Sequence, residues 1–204
     1  MTIDEILEKA TVIPVLEVEA LASAAPLARA LRQVRVVELT LRTPCALDAL
    51  KAMKDAAPDL IVGMGTIRTT EDIERALAAG ADFLVSPGTT PSLLAAMARA
   101  GVPALPGVAT ASEAMTAADA GFRALKFFPA EAAGGVDYLK TLAGPLPDIV
   151  FCPTGGISAD RAPAYLALKS VACVGGSWIA PRAMIAGGEW GAIEKNAARA
   201  LSLG

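Results

Sequence analysis

The feature that most constrains this fold is an alternation running the length of the chain. Short apolar runs recur at VIPVLE (12–17), VRVVELTL (34–41), DLIVGMG (59–65), DFLVSP (82–87), VPALPG (102–107), RALKFFP (123–129), DIVFCPTGG (148–156) and VACVGGS (171–177). Runs of this length, bounded by Gly and Pro, read as buried strands. Ala-rich helical stretches lie between them, near 20–32, 45–56, 70–79, 91–100, 111–120, 134–142 and 159–168. A last helix is expected near 189–202, and a short one opens the chain. Thr69 or Thr70 starts one helix, Ser112 and Glu113 another, and Gly80, Gly101 and Gly121 supply stops. Strand–helix alternation favours a parallel sheet. Eight such units in 204 residues predict a single-domain (β/α)8 barrel spanning 1–204. An open doubly wound sheet is the alternative. It lacks support, because GMGTIR misses the third glycine of GxGxxG and no GxxxxGK[ST] occurs.

Composition removes several kinds of function. The net charge is −3 and no basic run is present, so nucleic-acid binding is not expected. No apolar stretch is long enough to span a bilayer, and MTIDEILEKA does not read as a signal peptide. A cytoplasmic protein is expected. The chain is 54% hydrophobic with a mean hydropathy of +0.50, which suggests a large core and room for a buried subunit interface. Cys45, Cys152 and Cys173 form no CxxC and read as reduced core thiols. There is no histidine. That excludes a His-ligated metal, a Ser-His-Asp triad and a Cys-His pair. Proton transfer must then use Glu, Asp, Lys, Tyr, Cys or water. No Asp/Glu cluster supports a carboxylate metal site.

In a barrel, chemistry sits at the C-terminal ends of the strands. Lys126 lies near such an end, inside ALKFFP. It can snorkel, with its stem buried and its ammonium in water. It can also be a nucleophile, since desolvation disfavours an ammonium and a neutral amine attacks carbonyls. Strand alternation places Glu38, Thr40 and Arg42 on one face of VELTLRT, and Lys126 with Phe128 on one face of the sixth run. Glu38 and Arg42 read either as a mutual ion pair or as a proton shuttle and an anion clamp. Thr66 offers a hydroxyl after GMG, and Pro87 fixes backbone at the rim; both also fit plain turns. Gly-Gly pairs end the last two runs, in PTGGIS and VGGSW. They suit a phosphate site after barrel strands 7 and 8, or ordinary tight turns.

In order, VIPVL, VELTLRT, GTI, VSPG, LPGV, LKFFPAE, GGV, FCPTGGIS and VGGSW resemble the 2-keto-3-deoxy-6-phosphogluconate (KDPG) aldolases, class I Schiff-base enzymes. The resemblance covers about 12–181. It implies cleavage of KDPG to pyruvate and glyceraldehyde 3-phosphate, without metal or cofactor, by a homotrimer. It further implies Lys126 as the Schiff-base lysine and Glu38 as the general acid/base. Arg42 and Thr66 would bind the pyruvate carboxylate with Thr154 nearby, and Pro87 and Phe128 would wall the pocket. Gly155, Gly156, Gly176 and Ser177 would hold phosphate.

Two places depart from the family pattern. ARALRQVRVVELT lacks the usual Gly-Gly and is about two residues shorter, so no glycine is left for the helix C-cap. Met64 replaces a small residue, and by alternation with Thr66 it is expected to reach the interior below the site. Activity should survive both changes. Related substrates, 4-hydroxy-2-oxoglutarate or the galactonate epimer of KDPG, would use Lys126 identically. A scaffold that keeps the fold for a larger assembly is the alternative outside enzymes.

Overall fold

The computed structural model describes residues 1–203. Helix α1 (Ile3–Leu7) leads into strand β1 (Val12–Leu16), α2 (Ala24–Leu31), β2 (Val36–Thr40), α3 (Ala46–Ala56) and β3 (Ile61–Gly65). Then follow α4 (Thr70–Ala78), β4 (Leu84–Val85), α5 (Pro91–Ala98), β5 (Ala104–Leu105), β6 (Gly107–Val108) and α6 (Ala111–Asp119). The chain continues through β7 (Ala124–Phe127), α7 (Gly135–Ala143), β8 (Val150–Pro153), α8 (Ala162–Leu166), β9 (Val174–Gly176), α9 (Arg182–Ala186) and α10 (Trp190–Leu201). All named strand pairs are parallel. One sheet has the order β5-β4-β3-β2-β1-β9 and the other β6-β7-β8.

The expected alternation is present, with local differences. The fifth run is broken at Pro106, which has no N–H to give the ladder. The fourth keeps only two residues in strand pairing. Helix α9 was not expected from the sequence. Thr110, not Ser112, caps α6: its side chain accepts from Glu113 N–H while the Glu113 carboxylate accepts from Thr110 N–H. Thr69 caps α4 in the same reciprocal way with Asp72. Gly80, Gly101 and Gly121 adopt φ of +89°, +76° and +95° just beyond their helices. In the short segment before β2 that left-handed role falls to Arg35, at φ +64°.

Two apolar clusters divide the core. The larger joins the helices to outward strand positions such as Val37, Leu39, Val62, Leu125 and Phe127. The smaller is enclosed by both sheets: Ile13, Val36, Phe83, Val85 and Leu105 from one, Ala124 and Cys152 from the other. Ile6 and Leu7 of α1 close its lower end, where the strands begin. Cys173 also belongs to it, with its Sγ 3.6 Å from that of Cys152.

Met64 is not in that interior, contrary to expectation. It packs fully buried in the helix-side cluster with Val62. Thr66 adopts φ +64°, a left-handed turn that breaks strand alternation, so Met64 and Thr66 do not share a face. The inward positions of β3 are Gly63 and Gly65. Side chains there would strike the Phe83 ring and the Glu38 carboxylate, respectively.

No helix among the described residues is long and apolar enough to cross a membrane.

Candidate active site

Strand β2 carries Val36 inward in the lower cluster and Glu38 inward two residues higher. Strand β7 does the same with Ala124 and Lys126. Glycines open the space around both charges. Gly65 leaves room for the Glu38 carboxylate, and Gly107, paired with Lys126 in register, lets the Ser86–Gly88 backbone approach. Lys126 Nζ donates to Glu38 Oε1 at 2.9 Å and to Oε2 at 3.1 Å. Each side chain is only 5% exposed. This decides against snorkelling, because the ammonium end is buried with the stem. It also decides against a Glu38–Arg42 structural pair, because Glu38 spends both oxygens on Lys126. Such a buried pair is no strong source of stability, since desolvation offsets most of the attraction.

Above the pair, Lys126, Phe128 and Thr154 line an inner chamber of about 120 Å³. The Phe128 ring centroid lies 5.3 Å from Nζ, within range of a cation–π contact. Arg42 forms part of the wall. Its Nε donates to Thr66 Oγ1 at 3.1 Å, and its Nη1 lies 3.7 Å from Glu17 Oε2. The guanidinium is therefore held on two sides, with its remaining donors free for an anion. Thr40 Oγ1 is tied to the Leu16 carbonyl at 2.8 Å, which locks β2 to β1 beside the site.

Lys126, Glu38, Arg42, Thr66, Phe128, Thr154, Gly155, Gly156 and Ser177 come together here. Thr66 reaches the chamber only through Arg42. Pro87 and Gly176 are outside its wall: the Pro87 backbone packs on Gly107, and a Gly176 Cβ would press on Trp178 Nε1 at 2.7 Å. Gly176 thus makes room for an indole, and Gly175 for Thr154 on the other face. Gly155 and Gly156 adopt φ of +107° and +78°, and a Cβ on Gly155 would lie 3.2 Å from the Phe128 ring. Glu131 pins the loop after β8, accepting from Tyr165 Oη at 2.8 Å and from Arg161. Burial, then this bond to Glu131, pushes the Tyr165 hydroxyl well above its ordinary pKa.

The inner chamber opens into an outer one of about 530 Å³, which adds Glu17, Ser158, Trp178 and Arg182. Sequence reasoning missed these four. Glu17 was detectable, as a carboxylate at a strand's C-terminal end. Arg182 was not, because it opens the unexpected helix α9. No group of three or more His, Cys, Asp or Glu among the described residues is arranged to hold a metal.

Comparison with known proteins gives a consistent result. A family model for KDPG and KHG aldolase matches residues 3–196. The 2-dehydro-3-deoxy-phosphogluconate aldolase of Dickeya dadantii is 46% identical over 201 residues, covering 98% of this chain and 94% of that protein. The KHG/KDPG aldolase of Escherichia coli is 46% identical over 200 residues, 97% of this chain and 94% of its own. The solved Legionella pneumophila KDPG aldolase, with pyruvate captured at low pH as a covalent carbinolamine intermediate, superposes with a TM-score of 0.95. It is 42% identical, with 98% of each chain covered.

Proposed function

This chain belongs to the KDPG and KHG aldolase family, and from that premise we propose that it cleaves KDPG through a Schiff base on Lys126. One observation carries the assignment: a buried amine 2.9 Å from a buried carboxylate, opening onto a chamber walled by Arg42. The carbonyl carbon of a 2-keto acid sits in the chamber against the Lys126 amine, with its carboxylate on Arg42, which Thr66 orients, and its methylene side toward Phe128. Thr154 lies beside it.

The chemistry follows from those positions. Lys126 passes a proton to Glu38 and attacks C2 as the neutral amine. Glu38 gives that proton to the carbinolamine hydroxyl, which leaves as water; an iminium forms and Glu38 is again a carboxylate. Glu38, directly or through water, removes the C4 hydroxyl proton. The C3–C4 bond breaks, its electron pair moves to the iminium nitrogen, and glyceraldehyde 3-phosphate departs. The remaining enamine takes a proton at C3, and water hydrolyses the iminium to release pyruvate. Backbone N–H groups around Gly155, Gly156, Gly176 and Ser177 form the phosphate site. Pro87 buttresses the pocket from behind Gly107.

The two sheets are the arcs of one (β/α)8 barrel in a single domain. A parallel bridge joins Thr154 to Gly175, and β5 runs into β6 through Pro106; both features support closure. The barrel works as a cytoplasmic homotrimer, a reading supported by the family resemblance. Mass in solution tests it, and a much larger particle would favour an assembly role. The E. coli relative's name supports 4-hydroxy-2-oxoglutarate as a second substrate. Borohydride reduction with pyruvate, followed by peptide mass mapping, tests the central assignment. The reduced adduct is expected on Lys126, and an adduct on any other residue overturns the mechanism.

A further inference from the structure

The chamber around Lys126, about 120 Å³, has room for little more than a pyruvyl unit. A six-carbon substrate bound at C2 and clamped at its carboxylate must extend its other end into the outer chamber. Two cations line that chamber, Arg42 and Arg182. Arg42 already faces the carboxylate end, which leaves Arg182 for whatever charge arrives at the far end.

Arg182 is held in a way that lets it move. Its Nη1 lies 3.2 Å from Glu17 Oε1, and Nη2 donates to Glu19. Glu17 reaches Arg42 with its other oxygen, so Arg42, Glu17, Arg182 and Glu19 form a chain of alternating charge across the mouth. The Arg182 and Glu19 side chains are 60% and 53% exposed. An exposed pair of this kind is screened by water and contributes little, so a phosphate dianion can displace Glu19 at little cost. Ser158, Ser177 and Gly156 line the same chamber.

Building on the aldolase reading, we propose that Arg182 is a specificity-determining residue. It leaves Glu19 and closes on the terminal phosphate of a six-carbon substrate, while Glu17 keeps it over the mouth. A five-carbon substrate ending in a carboxylate is shorter and less charged, and does not recruit it.

The test compares wild type, Arg182→Ala and Arg182→Lys in three assays. These are KDPG cleavage, 4-hydroxy-2-oxoglutarate cleavage, and exchange of pyruvate C3 protons in deuterated water. Arg182→Ala should raise KM for KDPG about tenfold with little change in kcat, the signature of a lost charge-assisted contact. KM for 4-hydroxy-2-oxoglutarate and pyruvate exchange, which involve no phosphate, should hold. Arg182→Lys should fall between, keeping charge without the planar fork. An unchanged KM for KDPG overturns the inference. So does an equal loss on both substrates or a loss of exchange, either of which would mean that Arg182 serves Glu17 or the fold. Failure of the wild type to exchange pyruvate protons would instead overturn the aldolase reading itself.

Discussion

The interior of this protein has two storeys with opposite chemistry, separated by two residues on each strand. In the lower storey Val36, Ala124 and Cys152 meet the α1 residues Ile6 and Leu7 in an entirely apolar cluster. In the upper, the same strands present Glu38, Lys126 and Thr154, all buried, with glycines beside them. The lower storey gains from burial at roughly 25 cal/mol per Å² of apolar surface. The upper gains little, because each buried charge costs desolvation that its partner barely repays. The difference shows where stability is made and where it is held in reserve for chemistry.

The strongest way to break this comparison is to convert the upper storey into the lower one. Lys126→Met alone should abolish activity, by about 10⁴-fold or more, as loss of a nucleophile does. It should also destabilise the fold by about 3–5 kcal/mol, because Glu38 is left buried and unpaired. Adding Glu38→Leu should return stability to the wild-type level or above in urea denaturation, with activity still absent. A double variant as unstable as the single one would mean that the ion pair holds the fold together, and the contrast would fail.

The converse variant sharpens it. Leu7 is 1% exposed at the base of the lower storey, far along the strands from Lys126. Leu7→Ala should cost about 2–5 kcal/mol through lost burial and an unfilled cavity. Turnover per folded molecule should be unchanged well below the melting temperature. Lost turnover without lost stability would tie the lower storey to the chemistry.

The two storeys were unequally legible in sequence. Glu38 and Lys126 could be read because a charge inside an alternating apolar run has no cheap place to go. Gly63 and Gly65 were visible, but their inward direction was not. It follows from pairing with the inward Glu38 and Thr40 of β2, and alternation counted back from Thr66 misleads because Thr66 turns left-handed. Met64 pairs with the outward Leu39 and so lies on the helix side instead of the expected inside. Cys152 and Cys173 looked unrelated because adjacency across β8 and β9 is a matter of register. Glu17 was within reach as a carboxylate at a strand's C-terminal end, whereas Arg182 starts a helix that was not expected, and only the fold reveals that the two share a chamber.

The smallest test concerns the two ends of the sheet. Among the described residues, two other than glycine adopt the left-handed region, both at φ +64°: Arg35, where the chain enters β2 from below, and Thr66, where it leaves β3 above. Such a conformation costs an L-residue about 1–2 kcal/mol, and glycine relieves it at the expense of a more flexible unfolded chain. Arg35 is exposed and has no salt-bridge partner among the described residues, so its side chain gains nothing from the strain, and the backbone bond from Ile61 N–H to its carbonyl is open to glycine as well. Arg35→Gly should therefore raise stability by up to about 1 kcal/mol with no kinetic change. Thr66→Gly relieves the same strain but removes the oxygen that accepts from Arg42 Nε. Its stability should change little, while KM for the keto acid rises about tenfold, as expected when a hydrogen bond to a charged group is lost. If Thr66→Gly instead leaves KM unchanged, Arg42 is oriented by Glu17 alone, and the strain above is as idle as the strain below.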